Sequence, residues 1–396
     1  MQLSNPQPRF HARRGYLLSS GLFVLALFAP AGDRSAAAAP APFPDPPQST
    51  QTVSSAYRLF VFHSGVWINL HHFLYEQAAI AAAGPGGTPH EAELARDAAM
   101  TSGLSDDERK TWLAAVAYYR TNMLQHDLLG DPVMNRLKNH LEDSEDSNTV
   151  SAEDFDPALI DTLNQVGPIY RAHWWPEHDH SNRFWIDTVN ALVNQNGDVL
   201  SQQIAHAFET PWPGVPLRVD VVAYANFAGS YTTLHPSRVT VSSVDGGNQE
   251  VAALEVLFHA AAATLIEQVD AIVEHSFTAS GKTAPSELPE AILFFTSGYC
   301  VKQLYADYTP YADRFEFWRR EDWSGDRAAL VKDWQPRLDG KMTLDAALAQ
   351  LATDVAPRAR PAANAAPASN PPSTSPATPN AAAPSSAAPN PPTAPR

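Results

Sequence analysis

Apolar residues recur at helical spacing along most of the chain, change to strict alternation after Pro216, and return to helical spacing at Gln249. That order predicts an α+β fold dominated by long helices, with a small antiparallel sheet preceding one very apolar helix. The first helical run is Ser54 to Ala83, stopped by Gly84-Pro85-Gly86-Gly87. Ser105-Asp106-Asp107-Glu108 is a capping box, and the helix it opens continues to Leu129. Glu142 to Asp156 is acidic and polar and predicts a solvated loop; Asp156-Pro157 begins a helix reaching Arg171, and Asn182 to Phe208 reads as a further long one. Leu217 to Tyr224 and Arg238 to Ser242 alternate, with Gly229 to Thr233 between them, as three short strands of one antiparallel sheet. Helices then follow at Gln249 to His275, Ser286 to Ala306, Arg327 to Trp334 and Leu344 to Leu351.

The two ends differ from this core. Residues 1–39 carry a basic stretch (Arg9 to Arg14), an apolar run from Leu17 to Phe28 and the small residues Ala36 to Ala39, the three-part plan of a signal peptide. Arg13-Arg14 also resembles a twin-arginine signal, although ordinary leaders carry such pairs. The mature protein is therefore expected to be periplasmic or secreted. Residues 40–53 read as a linker, 54–355 as the core (54–209 a helical part, 217–355 the small sheet with the helices after it), and 356–396 as a disordered tail. Twelve of the last 40 residues are proline, and the tail has no aromatic side chain to bury. No apolar stretch after the leader reaches 18 residues, so no membrane span is expected in the mature chain.

The chain carries a net charge of −16. The leader (Arg9, Arg13, Arg14, Arg34 against Asp33) and the tail (Arg358, Arg360, Arg396) each contribute +3, which leaves the core near −22. Such a surface repels phosphate backbones, and nucleic acid is not an expected partner. The single cysteine, Cys300, excludes an internal disulfide framework and a multi-cysteine metal site. It lies beside Phe294 and Phe295 in an apolar helix, the setting of a buried inert thiol.

Strand Val239–Ser242, the polar turn Ser243–Asn248 and the apolar segment Ala252–Ile266 with His259 in its second half follow one another. This layout resembles the zinc metallopeptidases of the H-E-x-x-H type. Phe62–Tyr75, Tyr170–His180 and Asp333–Gly340 resemble, in turn, a group of exported bacterial proteins similar to gluzincins, the thermolysin-like class. The likeness covers roughly Ser54 to Val355. In that group the helix reads Phe-His-Glu-Ala-Ser-His: two histidines one turn apart bind zinc, the glutamate polarises the metal-bound water, and a glutamate from a later helix is the third ligand. Here only His259 matches. Ala260 stands at the general-base position, Ala263 at the second histidine, and Tyr299 at the third ligand, in the segment Phe294–Cys300.

The resemblance thus implies a gluzincin-like fold that has lost its zinc site and base: a non-catalytic binding or scaffold protein, with no cofactor. The alternative is an active zinc-dependent peptidase or other metallohydrolase whose site has been rebuilt. Glu255, one turn before His259, shares its face and is expected to pair with it; Glu267, Glu274 and His275 lie further along. Tyr311 sits where such enzymes place an oxyanion-stabilising hydroxyl. A cleft lined by His173, Trp174, Trp175, His178, Tyr224 and Tyr231 is expected to hold a peptide or protein partner, with the two tryptophans roofing a pocket at His259. His173, His178 and His180, flanked by Glu177, match no standard zinc spacing and read as a cleft wall or a loop. His63, His71 and His72 read as packed histidines of the first helix, and Tyr308 as a further cleft tyrosine or a core residue.

Overall fold

Gly65 divides what reads as one helix into two elements. Phe60–His63 is a strand, β1, and only Val66–Ala83 is helical, α1. The four residues of β1 are aromatic, β-branched or histidine, and pairing with a neighbouring strand outweighs any helical preference in so short a piece. The computed structural model describes residues 59–83 and 100–355 apart from 129, 146, 152–153, 226–228, 320–322 and 324. The expected signal peptide, linker and tail lie outside the described residues, as does the Gly84–Gly87 helix stop.

Helices α2 (Asp106–Asn122), α3 (Pro132–Ser144), α4 (Pro157–His173) and α5 (Trp175–Phe208) complete the N-terminal half. The Ser105 capping box forms as its spacing predicts, but α2 ends before Leu129. The supposed acidic loop at Glu142 begins inside α3, which is capped by the Asp131 side chain and opened by Pro132. The segment around His178, read as a loop or cleft wall, is the first two turns of α5, a helix of 34 residues or about 51 Å. Strands β2 (Leu217–Val222), β3 (Ser230–Thr233) and β4 (Arg238–Ser242) occupy the expected segments. After them come α6 (Glu250–Ala262), one tight turn at Ala263–Leu265, α7 (Ile266–Ala279), α8 (Leu288–Leu304), several short helical turns, and α9 (Leu344–Asp354).

The sheet is mixed, not antiparallel. Its order is β1-β2-β4-β3, with β1, β2 and β4 parallel and β3 antiparallel to β4 at the edge. Alternation along a strand reports which face is buried and is silent on the direction of its partners, so this could not be read from the chain. The run Glu250–Ala279 also corrects the hydropathy reading: by length and composition it is apolar enough to cross a membrane, with half of its most apolar window buried inside the protein.

Two hydrophobic cores flank the sheet. Leu217, Val219 and Val221 of β2, with Val239 and Val241 of β4, face a core built from the end of α5 and from α6, α7, α8 and α9. The intervening residues face the core of α1 to α4 and carry charge: Arg218, Asp220 and Arg238. Glu142, fully buried on α3, meets Lys138 at 2.8 Å and Arg238 at 3.1 Å, while Arg218 holds Asp220 at 2.9 Å and donates to the Glu142 carbonyl at 2.7 Å. Lys138 also donates to the Thr233 hydroxyl on β3 at 3.0 Å.

Removing one cation of this network leaves Glu142 buried with only Arg238 to compensate it, which costs up to about 3–5 kcal/mol. Lys138→Met is expected to destabilise the fold by that amount in urea unfolding, and Lys138→Met with Glu142→Leu to recover most of the loss. A double variant no better than the single one would show that the network's geometry, not charge compensation, carries the stability.

Candidate functional site

Val256, His259, Ala260 and Ala263 stand at i, i+3, i+4 and i+7, so they form one stripe of α6 and the turn after it. The stripe floors a cavity of about 300 Å³. Across it stand Glu290, Leu293 and Phe294 of α8; Ser230 to Thr232 of the edge strand, with Leu234, form a side wall, and Tyr311 and Phe317 close it from the segment after α8. Thr232 donates its hydroxyl to the Ala260 carbonyl at 2.6 Å, which fastens β3 to α6. Apart from His259, Glu290 and a few hydroxyls the lining is hydrocarbon and aromatic ring.

His259 lies flat against Phe294, ring centroids 3.5 Å apart and planes 24° from parallel, and its Nδ1 meets no hydrogen-bond partner. Burial pushes its pKa down to about 3, only partly opposed by a hydrogen bond with the Leu293 backbone, so the ring is neutral at physiological pH. This donor set does not fit a zinc ion. One imidazole stacked on a phenyl ring and flanked by two alanines supplies a single ligand where catalytic zinc uses three. Among the described residues no three His, Cys, Asp or Glu side chains converge in a way that would hold a metal.

Tyr299 corrects the expected third position. Its hydroxyl donates to Asp339, and it lines a separate cavity of about 410 Å³ with His206 and Cys300. Position 299 is five residues beyond Phe294, about 140° further round α8, and so points away from His259. Glu255 does not pair with His259 either. Fully buried, it accepts the Tyr311 backbone N–H at 2.9 Å, faces the Tyr308 hydroxyl, and lies over Gly298, where a Cβ would come within 2.9 Å of the carboxylate. Burial pushes the Glu255 carboxyl up to about 7.

The expected cleft comes apart as well. Trp174 packs on Trp112 and Phe73, Tyr224, just after β2, stacks on Phe73, and His178, in the first turn of α5, joins the Tyr170 hydroxyl at 2.8 Å; all three pack against the α1–α4 core. Trp175 lies near Tyr170, His173 meets Glu108 at 3.3 Å, and His180 is exposed. No tryptophan roofs the His259 cavity. Tyr231 does line it, and its hydroxyl joins His72 Nε2 at 2.8 Å, so one residue spans both cores. Tyr311 lines it too, its phenol held protonated by burial. His71 meets the Tyr119 hydroxyl at 2.9 Å, while His63, on β1 and not on a helix, pairs with Glu145 at 3.0 Å. Cys300 is buried and its thiol pushed up to about 12, which makes it unreactive.

Glu290, Leu293 and Phe317 are among the lining residues that the sequence pattern left unmarked. Glu290 was the available signal: it is a carboxylate one turn before Phe294 on an otherwise apolar helix. No known protein family, curated protein or solved structure matches this chain.

Four histidines are held below their ordinary 6.5 by burial: His259 near 3, His72 and His178 near 4, and His71 well below. The folded state refuses protons that the unfolded chain accepts, so their contribution is complete above about pH 6.5 and lost as pH falls toward 4. Glu255 and Glu142 act oppositely, their carboxyls raised to about 7 by burial and giving stability that fades as pH rises through that value, but two such groups only partly offset four histidines. Urea unfolding should therefore show stability falling by several kcal/mol between pH 7 and about 4. His259→Leu removes one such site and an unpartnered ring nitrogen; it is expected to hold or raise stability at pH 7 by up to about 1 kcal/mol and to flatten the acid limb. A loss above about 2 kcal/mol at pH 7 would show that the ring makes a bond these contacts omit.

Proposed function

We propose that the chain is an exported, non-catalytic relative of the gluzincin-like zinc peptidases, in which the place of the metal has become a small apolar binding pocket. The observation that carries this reading is the cavity itself. It lies on the His259 stripe, and the two positions that the resemblance assigns to base and second ligand, Ala260 and Ala263, are part of its apolar floor. Hydrolysis has no support in the lining, which offers neither a zinc ligand set nor a carboxylate at the base position.

Two tests follow from different parts of the proposal. For the pocket, indole titrated against the protein and followed by the thermal midpoint should stabilise it by mass action, and Ala263→Leu, which fills the floor, should weaken that binding at least about tenfold. Equal binding by the variant would move the ligand elsewhere. For the ancestry, Ala263→His places two imidazoles one turn apart, with Glu290 across the cavity. Zinc should then raise the midpoint of the variant but not of the parent protein, and adding Tyr299→Glu should give no further rise. A zinc response that needed Tyr299→Glu would mean that α8 is turned otherwise than described.

A further inference from the structure

Three of the cavity's aromatic rings stand in successive near-perpendicular planes. Phe294 and Phe317 meet with centroids 5.5 Å apart at 74°, and Phe317 and Tyr311 meet at 5.6 Å and 80°. All three line the same space, and the exposed Glu290 stands on its rim. From this geometry we infer that the cavity is an aromatic box for an alkylated ammonium group, the positive head of a small soluble molecule of the choline or betaine type. The inference rests on the reading of this cavity as a binding pocket and names what enters it.

The physical case has three parts. Aromatic faces carry negative potential, and a cation enclosed by several of them is attracted most when it sheds water easily, as a methylated ammonium does and a primary amine does not. Among the described residues the lining contains no lysine or arginine, and His259, neutral at physiological pH, adds no opposing charge. The strongly negative core, near −22, favours a cation over an anion or a neutral solute at the mouth. Size also agrees. An apolar cavity of roughly 150 Å³ is enough for benzene, so one of about 300 Å³ admits a trimethylammonium head with part of its chain.

The test compares choline with 3,3-dimethylbutan-1-ol, which has the same shape and no charge, by calorimetric titration into the purified full chain. Choline is expected to bind at least about tenfold more tightly. Phe317→Leu keeps apolar bulk but removes one ring face; it should bring the two ligands to within about threefold while leaving the circular dichroism spectrum and the affinity for the alcohol unchanged. An alcohol that binds as well as choline overturns the aromatic box and leaves the apolar pocket standing. If neither ligand binds, nor indole, both readings fall together. Binding to phosphatidylcholine vesicles without any binding of free choline would also overturn the proposal, since the head group would then be read on a lipid surface.

Discussion

The buried charges between α3 and the sheet are the constraint on which the rest of the arrangement depends. Glu142 and Asp220 have no exposure at all, and cations face each of them: Lys138 and Arg238 pair with the first and Arg218 with the second. A carboxylate moved out of water at this depth is tolerated only with its partners in place, so α3, β2 and β4 can dock in one register and no other. A slip of one residue along β2 would put Asp220 among the valines of the opposite core and bring Val219 to the lysine. Charge here specifies position, and hydrophobic burial on both faces supplies the stability.

That register passes to the candidate site through the edge strand. β3 is held from the helical side by Lys138 at Thr233 and by His72 at Tyr231, and from the other side by Thr232 on the Ala260 carbonyl. Successive residues of the strand therefore alternate between the two halves of the protein, as a pleated strand requires. A wall fastened on both faces keeps the cavity open against the collapse that its apolar lining would otherwise favour. On the opposite side Glu255 does similar work: it holds the Tyr311 backbone and, with Gly298 allowing close approach, sets the segment that carries Tyr311 and Phe317 against α8.

The sequence made the helix-rich α+β character, the three strands after Pro216 and the apolar motif helix legible, because periodicity reports burial directly. It could not show strand direction. It hid β1, whose four residues are too few to display a period and whose pairing partner, Leu217, lies 157 positions away. The cleft was misread for a related reason: Trp174, His178 and Tyr224 are the side chains that a polar aromatic site would use, yet the same chemistry serves a core in which Tyr170 satisfies the His178 ring. Tyr299 failed on rotation alone. A motif matched by spacing fixes a residue along the helix, while the side of the helix it occupies depends on which neighbour the helix packs against.

His259 is where the two readings of the molecule meet. A lone neutral imidazole in a greasy cavity is costly, since its Nδ1 finds no partner and its charged form is suppressed. Selection for stability alone would favour an apolar side chain there. Stacked on Phe294, however, the ring extends the aromatic surface that ends at Phe317 and Tyr311. A residue suited to holding zinc needs its nitrogen lone pair directed into the cavity; a residue suited to backing an aromatic wall needs its face covered. In this protein the face of the ring is covered by Phe294 and its neighbours along the stripe are Ala260 and Ala263, which offer no donor, so the site presents dispersion and ring electrostatics in place of coordination.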